Sequence, residues 1–250
     1  MSVIKLKGFV LKEFNAGESG KRIVVFTNEM GKVTLRVNGG KNANSKYLSA
    51  TQLFCYSEFV VYEGKGFLSV TQSDVIESFY PLRQDIVKLS YCSYILELVE
   101  KTSFEGIKDD SLVELLFRTL SLVAKTEYSV LLAVSIFEIK YLQLMGLLGE
   151  MDVCPCCGKE LTHGGVYFTS QVGGICNECK NGLYDGREIL SGTRLAIKHV
   201  ISSDGKSMFS FKVSKAVEKE LKEILEEYIS EHINQKFQTL EFAKSCSLEE

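Results

Sequence analysis

Two hydrophobic periods divide the chain. Up to about residue 79 apolar and polar positions alternate, and beyond it apolar positions recur every three or four. Val33, Leu35 and Val37 alternate with Lys32, Thr34 and Arg36, which predicts a strand with one apolar and one basic face. Further strands are expected over residues 3–14, 23–26, 53–62 and 67–76, the last two joined at Glu63-Gly64-Lys65-Gly66 as a hairpin. Five strands in so short a stretch predict a small Greek-key barrel of the OB type over residues 1–79. An SH3-like barrel would share this pattern. Residues 38–46, Asn-Gly-Gly-Lys-Asn-Ala-Asn-Ser-Lys, read as an exposed loop.

The helical part starts at Pro81, a residue suited to a first helical turn. Ile86, Leu89, Leu96 and Val99 form one stripe. Leu112, Leu115, Leu116, Leu120 and Val123 form a second, with Ser111 as its expected cap. Residues 130–148 are nearly all apolar, but Glu138, Lys140 and Gln143 are costly in a bilayer, so the segment reads as a buried central helix. Residues 80–150 are thus expected to form a helical bundle. A short helix over 191–202, with Arg194, Lys198 and His199 outward, and a long one over 214–237, capped by Ser214, complete a C-terminal region of residues 186–250. The last residues, from Ser245, are expected to fray.

Between these helices, residues 151–185 carry the chain's most specific chemistry. Cys154/Cys157 and Cys176/Cys179 form two C-x-x-C pairs with eighteen residues between them. That spacing suits one structural Zn2+ held by four thiolates, a closed set with no open position for catalysis. Cys156 could replace Cys157, and His163 could replace one thiolate. A thioredoxin-like redox site would need a single C-x-x-C in a βαβ setting, which the pattern lacks.

Composition narrows the rest. At 45% hydrophobic and 24% charged residues the chain is an ordinary globular protein. Residues 2–7 lack the apolar core of a signal peptide, and eight cysteines without one predict a reducing, cytoplasmic setting. The formal net charge of −3 gives no bulk signal for nucleic acid. Its distribution does: residues 1–46 hold nine Lys/Arg against three Asp/Glu, a local field suited to an anionic partner. The candidates for phosphate contact are Lys21, Arg22, Lys32, Arg36, Lys41 and Lys46, with Phe14 and Tyr47 as possible stacking rings. Each lysine alone also reads as an ordinary solvated charge.

No phosphate-binding glycine loop, dinucleotide fingerprint or nucleophile elbow is present, and the three histidines form no recognisable triad, so no enzymatic activity is expected. The fold class expected is α+β and multidomain: an OB barrel, then an α-helical bundle with an inserted four-cysteine knuckle.

The ordered parts resemble the bacterial RecO family of recombination mediators. "GFVLKEFNAGESGKRIVVFTNEMGKVTLRVNGGKNANSK" is similar to the family's opening barrel, and "GKGFLSVTQSDVIESFYPLR" to its last strand and exit into the helices. "YLQLMGLLGEMDVCPCCGK" resembles the helix running into the zinc segment, and "LSGTRLAIKHV" the helix after it. Two departures stand out: Val37-Asn38-Gly39-Gly40 is less basic than the loop in many relatives, and Cys156 is extra. The resemblance implies binding of single- and double-stranded DNA and annealing of complementary strands. It also implies engagement of the acidic C-terminal tail of the single-stranded-DNA-binding protein, and action with RecR in loading RecA during gap and double-strand break repair. It places the protein in the bacterial cytoplasm, at the nucleoid and away from membranes. Arg194 and Lys198 are the residues expected to receive the acidic tail. The competing classes are a zinc-ribbon scaffold that binds proteins and no DNA, and a nuclease or nucleotide-using enzyme, which would need convergent carboxylates for metal.

Overall fold

The computed structural model describes residues 3–16, 20–40, 45–64, 66–161, 166–180 and 184–246. They fall into two compact units: Met1–Lys125 with Phe237–Glu250, and Thr126–Lys236.

The first unit begins with a closed five-stranded barrel. Its strands are β1 (Val3–Ala16), β2 (Gly20–Thr27), β3 (Gly31–Val37), β4 (Tyr56–Gly64) and β5 (Phe67–Glu77), in the order β1-β2-β3-β5-β4. β1 closes the barrel by pairing with β4, and β3 runs parallel to β5 at Leu35↔Leu68 and Arg36↔Ser69. This order is that of an OB barrel and resolves the ambiguity that periodicity leaves. β1 serves two neighbours because it bends at a bulge between Val10 and Lys12. Leu6, Ile23, Val25, Leu35, Phe59 and Val61 fill the interior. The fourth strand starts at Tyr56, three residues later than the apolar run suggests. Phe54 there adopts φ +72°, which an extended strand cannot hold.

Outside the barrel, an aromatic cluster covers the strands. Phe9 lies 4.8 Å from Tyr56, and Phe117 lies 5.6 Å from both Tyr56 and Phe79. Pro81 sits in a separate 3-10 turn, Tyr80–Gln84, and helix α1 (Ile86–Thr102) is started by Asp85, whose carboxylate accepts from the N–H groups of Val87 and Lys88. Helix α2 (Asp110–Lys125) is likewise capped two residues before the expected Ser111, by Asp109 accepting from Leu112 N at 2.9 Å.

The second unit is built on α3 (Val130–Leu144), capped by Ser129 and buried along most of its length. Its buried Lys140 donates to the carbonyl of Ile201 and to Asp204, both at 3.2 Å. Among the described residues, no helix is long and apolar enough to cross a membrane. Strands β6 (Val166–Thr169), β7 (Gly173–Ile175) and β8 (Gly186–Ile189) form a small antiparallel sheet in the order β7-β6-β8. Helix α4 (Ser191–Ser202) lacks a cap of its own; Glu220 supplies one, accepting from Leu190 N at 2.9 Å and from the Thr193 hydroxyl. Glu220 stands on α5 (Lys215–His232).

The helix expected over 214–237 stops at His232, and a separate helix follows it. Ile233 turns extended at φ −117°, ψ 101°, and a further helix, α6 (Gln238–Cys246), packs on α1 in the first unit. No proline or glycine marks the break. Burial does: Phe237 lodges 5.6 Å from Tyr94 of α1.

Candidate metal centre and nucleic-acid interface

The cysteine pairs come together through two short turns. In the first, Cys154 N donates to Lys159 O and Gly158 N to Cys154 O, with Gly158 in the left-handed region at φ +74°. In the second, entered from β7, Cys179 N donates to Cys176 O at 3.0 Å. Lys159 and Glu178 form an ion pair between the turns.

The sulfurs of Cys154, Cys157, Cys176 and Cys179 all lie within 4.8 Å of one another, and Cys157 and Cys176 are 3.7 Å apart. A tetrahedral ion with Zn–S bonds of about 2.3 Å has sulfur edges of roughly 3.8 Å, so the donor set fits such an ion with little adjustment. Burial raises the Cys154 thiol. The N–H groups of Cys176, Cys156 and Cys157 and the Cys157 thiol outweigh that effect and hold it down to about 6. Backbone donors aimed at a sulfur stabilise the thiolate a metal requires. Cys156 is exposed and stands outside the set of four. His163 lies outside the described residues.

The barrel sorts the six basic candidates. Lys21 pairs with Val37 across the sheet, on the inward face. Its ammonium is buried, ion-paired with Glu13, and donates to Thr51 O at 2.8 Å. Lys32 faces outward but is half-buried, donating at 2.7 Å to the Glu100 carbonyl in the last turn of α1, where a cation complements the helix dipole. Both lysines are therefore occupied within the fold. Lys46 is exposed, its ammonium 5.0 Å from the Tyr47 ring. Tyr47 itself packs on the barrel core and donates to Thr71 O. Lys41 lies outside the described residues.

Arg22 and Arg36 remain. They stand opposite one another across β2 and β3, and Phe14 stands opposite Arg22 across β1 and β2. Neither arginine has an acidic partner among the described residues. Like charges in direct register are unfavourable unless an anion joins them. The row ends at a residue the alternation did not single out: Phe67 of β5, 37% exposed, with the Arg36 guanidinium 4.0 Å from its ring centre. A shallow groove of about 490 Å³ runs along Phe14, Arg22, Arg36 and Asn38. Phe67 could have been found from sequence, because it follows the hairpin glycines directly and an aromatic at such a strand start has few core neighbours.

In the second unit, Arg194 and Lys198 line one cleft of about 1300 Å³, between the first cysteine turn and α4. Both are half-buried rather than exposed, and Lys198 is ion-paired with Asp152. His199 is also half-buried, its Nε2 3.0 Å from Ser207 O. The same cleft carries the exposed side chains of Leu190 and Leu195 and the carboxylates of Glu160 and Glu188.

Two family models account for nearly the whole chain: recombination protein O, N terminal, over residues 1–79, and recombination protein O, C terminal, over residues 83–241. The chain belongs to the recombination protein O family. Two RecO relatives match over nearly their whole length. A DNA repair protein RecO from Acetivibrio thermocellus is 31% identical over 245 residues, 98% of each chain. Another, from Alkaliphilus metalliredigens, is 32% identical over 243 residues, 97% of this chain and 99% of that one. The first RecO model ends where β5 gives way to the 3-10 turn.

Proposed function

We propose that this chain is a DNA-binding recombination mediator of the RecO type. It binds single and double strands, anneals complementary strands, and with RecR helps load RecA on single strands coated by the single-stranded-DNA-binding protein. The observation that carries the reading is the Phe14–Arg22–Arg36–Phe67 row on an OB barrel, added to the family membership. Two arginines without acidic partners among the described residues, flanked by exposed rings, suit a nucleic-acid backbone and its bases. The work is displacement and alignment, which needs no covalent catalyst. Binding gains come from released counterions and fall with salt.

The four cysteines are read as the ligands of one structural Zn2+, which ties the two turns together and gives the small sheet its anchor. The acidic tail of the single-stranded-DNA-binding protein is placed in the Arg194–Lys198 cleft. The exposed leucines support the apolar part of such a tail and Arg194 its carboxylates. The place of action on this reading is the bacterial cytoplasm, at the nucleoid. The four segments 1–79, 80–150, 151–185 and 186–250 are read as barrel, bundle, knuckle and closing helices.

The test is fluorescence anisotropy of a labelled single-stranded oligonucleotide across a salt series, with an Arg22→Ala/Arg36→Ala variant beside the parent. Tight binding with a steep salt slope, weakened in the variant, supports the reading. No binding by the folded, zinc-loaded parent at low salt would leave a zinc-ribbon scaffold in its place.

A further inference from the structure

Arg22 and Arg36 look alike in sequence, and their surroundings give them different chemistry. The Arg36 guanidinium is seated over the Phe67 ring, with its carbon 4.0 Å from the centroid. Arg36 is half-buried on β3, and Phe67 opens β5, the strand running parallel beside it. Arg22, one strand away, is exposed and has no ring beneath it among the described residues.

A guanidinium is planar and delocalised, and one held over an aromatic ring is fixed in orientation and partly desolvated. Its outer face is then a flat surface on which an unpaired base can stack, as bases do on arginine planes. An unrestrained guanidinium follows a phosphate instead, through paired N–H donors. We infer that Arg36, mounted on Phe67, is a base-stacking platform, that Phe67 is its positioning residue, and that Arg22 is the phosphate contact. This rests on the DNA-binding reading given above and adds a division of labour within it.

The consequence is strand selectivity. In a duplex the base faces are already stacked on one another, whereas the phosphates stay accessible. The platform therefore recognises single strands only, and Arg22 serves both forms. Phe14, 38% exposed beside Arg22, marks the far end of the same row.

The experiment measures binding of a labelled oligo-dT and of a mixed-sequence duplex of equal length, each across a salt series. Arg36→Lys keeps the charge and removes the plane; Phe67→Ala removes the mount; Phe67→Tyr keeps it. Both Arg36→Lys and Phe67→Ala are expected to weaken oligo-dT binding about tenfold while leaving duplex binding within about twofold. The salt slope for Arg36→Lys should match the parent, and Phe67→Tyr should bind as the parent does. Arg22→Ala should weaken both probes together and lower the salt slope by about one. Equal losses on both probes with Arg36→Lys, or no loss on either, would overturn the assignment while DNA binding stands. A parent that binds neither probe overturns DNA binding itself. Matched thermal melts separate either result from misfolding.

Discussion

Glu97 and Thr239 meet although 142 residues separate them in the chain: the Thr239 N–H and hydroxyl both donate to the Glu97 carboxylate, the N–H at 2.9 Å. Glu97 thus caps α6 from the side of α1, and Lys101 holds its other oxygen at 2.7 Å. Replacing Glu97 with Ala should cost about 0.5–2 kcal/mol, the range for losing a helix cap. Hydrogen exchange should accelerate first at the amides of α6. Burial acts to raise the Glu97 carboxyl, but Lys101 and Thr239 outweigh it and the net shift is downward. A depressed carboxylate contributes stability that is present above its unfolded value, near 4.5, and is lost as pH falls through its folded value. Docking of α6 should therefore loosen below about pH 4.5 in the parent and show no such step in Glu97→Gln.

Gly31 tests the seam between the barrel and the α1–α2 loop. It sits at φ +63°, and a Cβ there would lie 1.9 Å from the carbonyl oxygen of Ile107. Gly31→Ala should cost about 1–3 kcal/mol from the backbone conformation alone, with the clash added to it. Urea unfolding gives the number; a cost confined to that range would mean the loop moves away, and a larger one that the clash with Ile107 stands.

Lys21 separates stability from binding. Lys21→Met removes the donor of the Thr51 carbonyl and leaves Glu13 with the Leu53 N–H but no cation, and should destabilise the protein by about 1–3 kcal/mol. Its DNA salt slope should equal the parent's, because the ammonium is already neutralised inside the barrel. A shallower slope would show that Lys21 reaches solvent when DNA binds.

Metal content discriminates among the cysteines. Cys154→Ser and Cys179→Ser should lose zinc on gel filtration, while Cys156→Ser should keep one equivalent, as read by a colorimetric chelator assay. Loss of zinc from Cys156→Ser would instead make Cys156 a ligand.

Asp152 offers a gain-of-function test in the cleft. It pairs with Lys198, so Asp152→Asn should free a cation and tighten binding of an acidic tail peptide severalfold. Arg194→Ala/Lys198→Ala should weaken the same peptide. If neither change moves the affinity, the peptide binds elsewhere.

Much of this was legible in the residues. The cysteine spacing foretold a cluster because two C-x-x-C turns have few other uses, and the structure brings those four sulfurs together. Alternation foretold the barrel, and it also held a distinction that a count of basic residues ignores. Lys21 shares the parity of Ile23 and Val25 and so points inward, whereas Arg22 points outward. The fate of Lys32 was not legible, since its outward position is covered by the end of a helix sixty-eight residues later. The break after α5 was hidden too: without glycine or proline, the decision falls to where Phe237 finds a pocket, a tertiary matter.

That last helix has a consequence for how the protein is made. Everything from Thr126 to Lys236 belongs to one unit, and the helix that follows returns to the other. On a ribosome, the unit that carries the four-cysteine cluster can therefore finish folding while α1 still shows Tyr94 and its neighbours to chaperones and solvent. The barrel side, begun first, is sealed only when α6 has followed that unit out.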